Sequence, residues 1–135
     1  MIAGIGVDLV DIARARAMIE KRGEHAVRKV CTDAEAAYVM SRPDRAIHLA
    51  ARIAAKEATF KALSGTADAR SIGWKEMEVA RGSHGEPVLR LHGRAAARAE
   101  VLGISRSWIT LSHSAATACA VVILERDPAA GRSFD

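Results

Sequence analysis

Residues 50–63 read Ala50-Ala51-Arg52-Ile53-Ala54-Ala55-Lys56-Glu57-Ala58-Thr59-Phe60-Lys61-Ala62-Leu63. Alanine is the strongest helix former because it loses no side-chain entropy, so this run predicts a helix. Pro43-Asp44 marks its upstream boundary, which places a long helix from about Asp44 to Leu63, with Ser64-Gly65 as the stop. Glu57 and Lys61 stand one turn apart on it. Alone, such a pair is more often a solvated salt bridge.

Toward the N-terminus, Ile2 to Val10 reads as a β-strand. Its alternation sets Gly4, Gly6 and Asp8 on one face and Ile5, Val7 and Leu9 on the other. The small face leaves room for something to approach Asp8. Asp11 is the expected N-cap of a helix from Ile12 to Arg22, which Gly23 ends or kinks. Thr32-Asp33-Ala34-Glu35 fits a capping box that opens a short helix to about Met40. In the second half, Trp74 to Ala80 and Pro87 to Leu91 read as a hairpin around Arg81–Glu86. Gly93 to Leu102 follows as a helix stopped by Gly103. Trp108–Ser112 and Ala116–Glu125 read as two further strands, and Asp127 to Asp135 as a frayed tail.

The chain has 135 residues, the size of one domain. Half of them are apolar but only 4% are aromatic, and many of the apolar ones are alanine, so the core is expected to be thin. Association between copies would bury more. The net charge of +4 favours acidic partners without choosing among them. Two cysteines, Cys31 and Cys119, are too few for a disulfide framework, and Cys119 in its apolar run reads as a buried thiol. No apolar run approaches the ~20 residues that span a bilayer, so a soluble, cytoplasmic protein with no membrane partner is expected. A shortage of stacking aromatics argues against a nucleic-acid partner.

The chemistry gathers in two carboxylates and a lysine. Mg²⁺ takes oxygen ligands, commonly one or two carboxylates, and fills its other positions with water and substrate phosphate. Asp8 and Glu57 could supply the carboxylates, and Lys61 could meet a phosphate. Ser112-His113-Ser114 is no hydrolase triad, because adjacent strand residues face opposite ways and no GxSxG elbow is present. His113 reads better as a nucleotide or phosphate contact. Arg14, Lys21 and Arg28 recur at intervals of seven. If one helix carried all three they would share a face, either solvated or shaped for an acidic partner.

Ile5-Gly6-Val7-Asp8-Leu9-Val10-Asp11-Ile12 with Arg14 resembles the first signature of the holo-[acyl-carrier-protein] synthases, the small 4′-phosphopantetheinyl transferases. Arg52-Ile53-Ala54-Ala55-Lys56-Glu57-Ala58 with Lys61 resembles their second. Gly85-Glu86-Pro87 and Leu111-Ser112-His113 fall in the expected order. The resemblance implies an α+β fold, a small antiparallel sheet packed with a long helix in one pseudo-ferredoxin-like unit over residues 1–126. It also implies a homotrimer with sites between protomers. The implied reaction is Mg²⁺-dependent transfer of 4′-phosphopantetheine from coenzyme A to a serine of apo-acyl carrier protein, releasing adenosine 3′,5′-bisphosphate. Asp8 and Glu57 would then hold Mg²⁺ and Lys61 the pyrophosphate. Arg52, Gly65, Gly85, Pro87 and His113 would line the nucleotide, and Arg14, with Lys21 and Arg28, would meet the carrier. Ser64-Gly65-Thr66-Ala67 departs from the family's Gly-Thr-Gly. A non-catalytic module binding coenzyme A or an acidic protein is the alternative reading.

Overall fold

The computed structural model describes residues 1–63 and 71–128. Among the described residues, two sheets and four α-helices surround a fifth helix. Strands β1 (Ile2–Asp11), β4 (Ile104–His113) and β5 (Thr117–Arg126) form an antiparallel sheet in the order β1-β5-β4. Strands β2 (Met77–Arg81) and β3 (Pro87–Leu91) form a separate hairpin. Helices α1 (Ile12–Arg22), α2 (Glu24–Val30) and α3 (Asp33–Ser41) lead into α4 (Arg45–Ala62), and α5 (Gly93–Val101) precedes β4. The expected α+β architecture is therefore present.

Helix α4 is the hub. Asp44 caps its N-terminus by accepting a hydrogen bond from the Ile47 amide at 3.4 Å. Its alanines are buried nearly all round, among them Ala50, Ala54, Ala55 and Ala58 at 0% exposure. Small side chains let neighbours come close. A Cβ on Gly6 would lie 1.9 Å from the Ala58 carbonyl oxygen, and one on Gly4 would lie 2.0 Å from that of Ala62. The room beside Asp8 is thus filled by the backbone of α4, and this contact brings Asp8 to Glu57 and Lys61.

A buried ion pair fastens the hairpin to the same helix. Lys56, fully buried, donates to Glu35 Oε1 at 2.8 Å and to the carbonyls of Trp74 and Met77 at 2.9 and 2.7 Å. Glu35 also accepts from the amides of Thr32 and Val79, both at 2.9 Å, and the Thr32 capping box is formed as its sequence implies. The pair joins α3, α4 and β2.

The end of α1 at Gly23 is as expected, and three local expectations are corrected. Asp11 ends β1 and makes no side-chain cap. The chain breaks at Gly23, whose φ of +60° suits glycine, so α1 and α2 are separate helices. Trp74–Glu76 is a 3₁₀ turn, with β2 starting only at Met77. Cys119 is half-buried on the outer face of β5, whereas Cys31 is buried, which pushes its thiol up to about 12. The helix stop at Ser64-Gly65 lies outside the described residues, as do residues 129–135 of the tail.

The sheet covers α4 with one face only. On the other, Ile5, Val7 and Leu9 of β1 are 64%, 53% and 66% exposed. Val121, Ile123 and Cys119 of β5 stand beside them in register, and Trp108 of β4 lies opposite Ile123. A contiguous apolar face of this kind is a feature of association surfaces. No described helix is long and apolar enough to cross a membrane.

Candidate active site

Three elements meet at the carboxylates. β1 presents Asp8 toward α4, and α4 presents Glu57 and, one turn on, Lys61. α1 runs past them and supplies Arg14. Lys61 Nζ donates to Asp8 Oδ1 at 3.0 Å and to the Val7 carbonyl at 3.1 Å. Arg14 Nη2 lies 3.9 Å from Glu57 Oε1. In the free chain each carboxylate therefore has a side-chain cation beside it.

The two carboxyls also crowd each other, and burial together with that neighbourhood sets their protonation. Burial pushes Glu57 up, and the hydrogen bond with Asp8 and the charge of Asp8 push it further, to about 7. Arg14 and Lys61 pull the other way and lose. Burial would raise Asp8 too, but its hydrogen bonds with Glu57 and Lys61 and the charge of Lys61 outweigh that and hold it below its ordinary value. Asp8 Oδ2 is buried with no ordinary donor. A pair with one reluctant proton and one orphaned oxygen can be satisfied by a cation between them. No group of three or more His, Cys, Asp or Glu side chains suited to a metal occurs among the described residues. Two carboxylates fit Mg²⁺, which leaves most of its positions to water and phosphate.

An apolar cleft of about 350 Å³ opens beside this cluster, lined by Phe60, Ile72, Trp74 and Met77 together with Lys56, Glu57 and Lys61. A second cleft, of about 460 Å³, holds Arg52, Pro87 and His113 with Tyr38, His48 and Arg81. There the guanidinium groups of Arg42, Arg52 and Arg81 lie 5.0, 4.7 and 4.5 Å from the centre of the Tyr38 ring. Arg52 is 2% exposed, and its Nε has no hydrogen-bond partner. Burial, then the charges of Arg52 and Arg42, lower His48 below its usual value, so the cleft is cationic without it.

The chain belongs to the 4′-phosphopantetheinyl transferase superfamily. The profile of that superfamily matches residues 4–121. The holo-[acyl-carrier-protein] synthase of Anaeromyxobacter sp. strain K is 44% identical over 128 residues, covering 93% of this chain and 97% of that protein. Among solved structures, the holo-[acyl-carrier-protein] synthase of Neisseria meningitidis superposes with a TM-score of 0.81 at 26% identity, covering 93% of this chain and all of that one. That of Bacillus anthracis in complex with CoA (3′,5′-ADP) gives 0.74 at 27% identity, covering 94% and 99%.

Within this transferase fold the predicted site residues fall into two groups. Asp8, Glu57 and Lys61 come together; Arg52, Pro87 and His113 come together elsewhere. At 100° per residue, Glu57 and Lys61 lie roughly 140–180° around α4 from Arg52 and His48. The helix itself stands between the two clefts. Gly85 sits in the β2–β3 turn next to the second cleft, and Gly65 lies outside the described residues. The basic stripe does not form as one face. Gly23 divides it, Arg14 turns to Glu57, and Arg28 pairs with Glu24 and Asp33. Glu35, Tyr38, His48 and Arg81 escaped the sequence reading. The capping box did mark Glu35, but nothing local marks its bond to Lys56, 21 residues on.

Proposed function

We propose that this chain transfers 4′-phosphopantetheine from coenzyme A to a serine hydroxyl of an apo-acyl carrier protein. The observation that carries the reading is the Asp8–Glu57 carboxyl pair, with Lys61 in contact, in a chain of this superfamily. Mg²⁺ held by Asp8 and Glu57 supplies charge neutralisation at the pyrophosphate. Phosphoryl transfer asks little else of the protein than positioning and electrostatics, and the nucleophile arrives on the partner. Lys61, drawn off Asp8, meets a phosphate oxygen. Arg52, Arg81 and His113 receive the nucleotide end, which leaves as adenosine 3′,5′-bisphosphate. The apolar cleft at Phe60 and Trp74 suits the pantetheine arm. Arg14 and Lys21 face an acidic carrier. A cytoplasmic setting belongs to the same reading.

The arrangement of the clefts favours a composite site. Because α4 separates the carboxylates from the nucleotide cleft, one coenzyme A reaches both most directly where two copies meet. The exposed apolar face of the β1-β5-β4 sheet offers the surface for that meeting. A cyclic homotrimer satisfies both conditions with head-to-tail interfaces.

The test is the intact mass of an apo-carrier after incubation with the protein, coenzyme A and Mg²⁺. A phosphopantetheine-sized gain, absent with chelator, is expected. No gain on any of several carriers, with coenzyme A still bound, would replace the transferase by a binding module.

A further inference from the structure

Arg14 sits at a junction between two roles. It belongs to α1, where an acidic carrier is expected to dock, yet its ion-pair partner in the free chain is Glu57, at 3.9 Å. Their side chains are 53% and 33% exposed, so the pair lies at the rim of the site and is open to both a docking protein and an arriving cation. The other cation is held differently. Lys61 stands on α4 itself and keeps a backbone anchor, the Val7 carbonyl, besides Asp8. Arg14 comes from a separate helix, and Glu57 is its sole ion-pair partner among the described residues.

We propose that Arg14 is a positioning residue that couples carrier docking to the metal carboxylates by exchanging partners. In the free chain it occupies Glu57; in the complex it turns to a carboxylate of the carrier and releases Glu57 to the cation. The inference rests on the transferase reading. The physical argument is linkage. A guanidinium and a divalent cation compete for one carboxylate, and they repel each other across it. A carrier carboxylate that takes up Arg14 removes the competition and neutralises the repulsion. Both ligands then favour the state in which the Arg14–Glu57 pair is open, so each must strengthen the other. Docking of the correct partner would thereby complete the site, and coenzyme A would meet a fully formed site mainly when an acceptor is present.

The experiment measures Mg²⁺ affinity by calorimetry, with and without a carrier whose acceptor serine is replaced by alanine, so that no turnover occurs. It is run at a pH well above 7, and at a second, higher pH to show that Glu57 protonation does not differ between the variants. Wild-type protein should bind Mg²⁺ about 3- to 5-fold tighter with the carrier, the upper range of what a part-exposed ion pair supplies. Arg14→Gln should lose this factor and bind Mg²⁺ more tightly than wild type when no carrier is present. Arg14→Lys, which keeps the charge, should restore part of the coupling. A bound carrier that leaves wild-type Mg²⁺ affinity unchanged, or an equal factor in Arg14→Gln, overturns the exchange. Failure of every one of several carriers to bind wild-type protein overturns instead the transferase reading beneath it.

Discussion

Lys56 and Glu57 are neighbours in the chain and point into opposite environments. Lys56 is closed off from solvent, with all three of its hydrogen bonds spent on Glu35, Trp74 and Met77. It acts on the site by holding α4 against the hairpin. Lys56→Met strands Glu35 as a buried, unpaired carboxylate, a change that costs about 3–5 kcal/mol. Urea denaturation should show that loss, and the double replacement Glu35→Leu with Lys56→Met should recover most of it; a single variant within about 1 kcal/mol of wild type would count against the clamp. Glu57 has the opposite problem, a proton it keeps too long. Its carboxyl rises from 4.5 to about 7 on folding. Between those values the folded chain holds a proton that the unfolded chain has released. The contribution of Glu57 to the stability of the metal-free protein should therefore be lost as pH rises from about 4.5 through about 7, while His48, lowered from 6.5, acts in the opposite direction in the same window. The opposite shift of Asp8 acts below 3.8, outside this window. Glu57→Gln should remove that loss, so the pH profiles of the two proteins diverge between about pH 5 and 8; parallel urea midpoints would count against the raised Glu57 carboxyl.

The contact of β1 with α4 is the element on which the site depends. Gly4 and Gly6 are there because the carbonyls of Ala62 and Ala58 occupy the place of a Cβ. Gly6→Ala forces strand and helix apart, with an expected destabilisation of about 1–3 kcal/mol. It should also lower turnover more than a matched loss of stability at a distant site, because Asp8 moves away from Glu57. Equal turnover in the intact-mass assay would show that this spacing is slack. What could be read in advance follows from the range of each signal. The alternation of β1, the capping box at Thr32, the alanine run of α4 and the β2–β3 turn are local, and all appear in the fold. The start of β4 is not local. Arg106 and Ser107 carry no strand pattern and are held extended by pairing with β5, with Ser105 at a register shift just before them. The 3₁₀ turn at Trp74 is set partly from outside, since Lys56 donates to the Trp74 carbonyl, while Glu76 within the turn accepts from the Gly73 amide. The carboxylates and Lys61 were legible because one strand and one helical turn suffice to place them. The three arginines around Tyr38 come from three separate elements, and no spacing in the chain announces that they meet.

At the level of the whole molecule, the two clefts and the bare sheet face pose one question, whether a working site is made by one chain or by two. Val7 is 53% exposed at the centre of the apolar face. Val7→Glu should leave circular dichroism unchanged, shift sedimentation to the monomer and remove activity. That result alone would not separate a shared site from a structural need for assembly. Complementation does. Glu57→Ala disables the carboxylate half and His113→Ala the nucleotide half, so each homo-oligomer should be weak or inactive. In a head-to-tail ring of mixed subunits, some interfaces join the intact carboxylates of one variant to the intact nucleotide cleft of the other. Random mixing in equal amounts should then restore about a quarter of wild-type activity in the whole mixture and about a third in the mixed trimers, because each mixed ring has one fully intact interface of its three. If each chain holds its own site, every site in the mixture carries one lesion and nothing is restored. Co-expression with two different affinity tags, purification over both, and the intact-mass assay on the doubly selected oligomer distinguish the two cases.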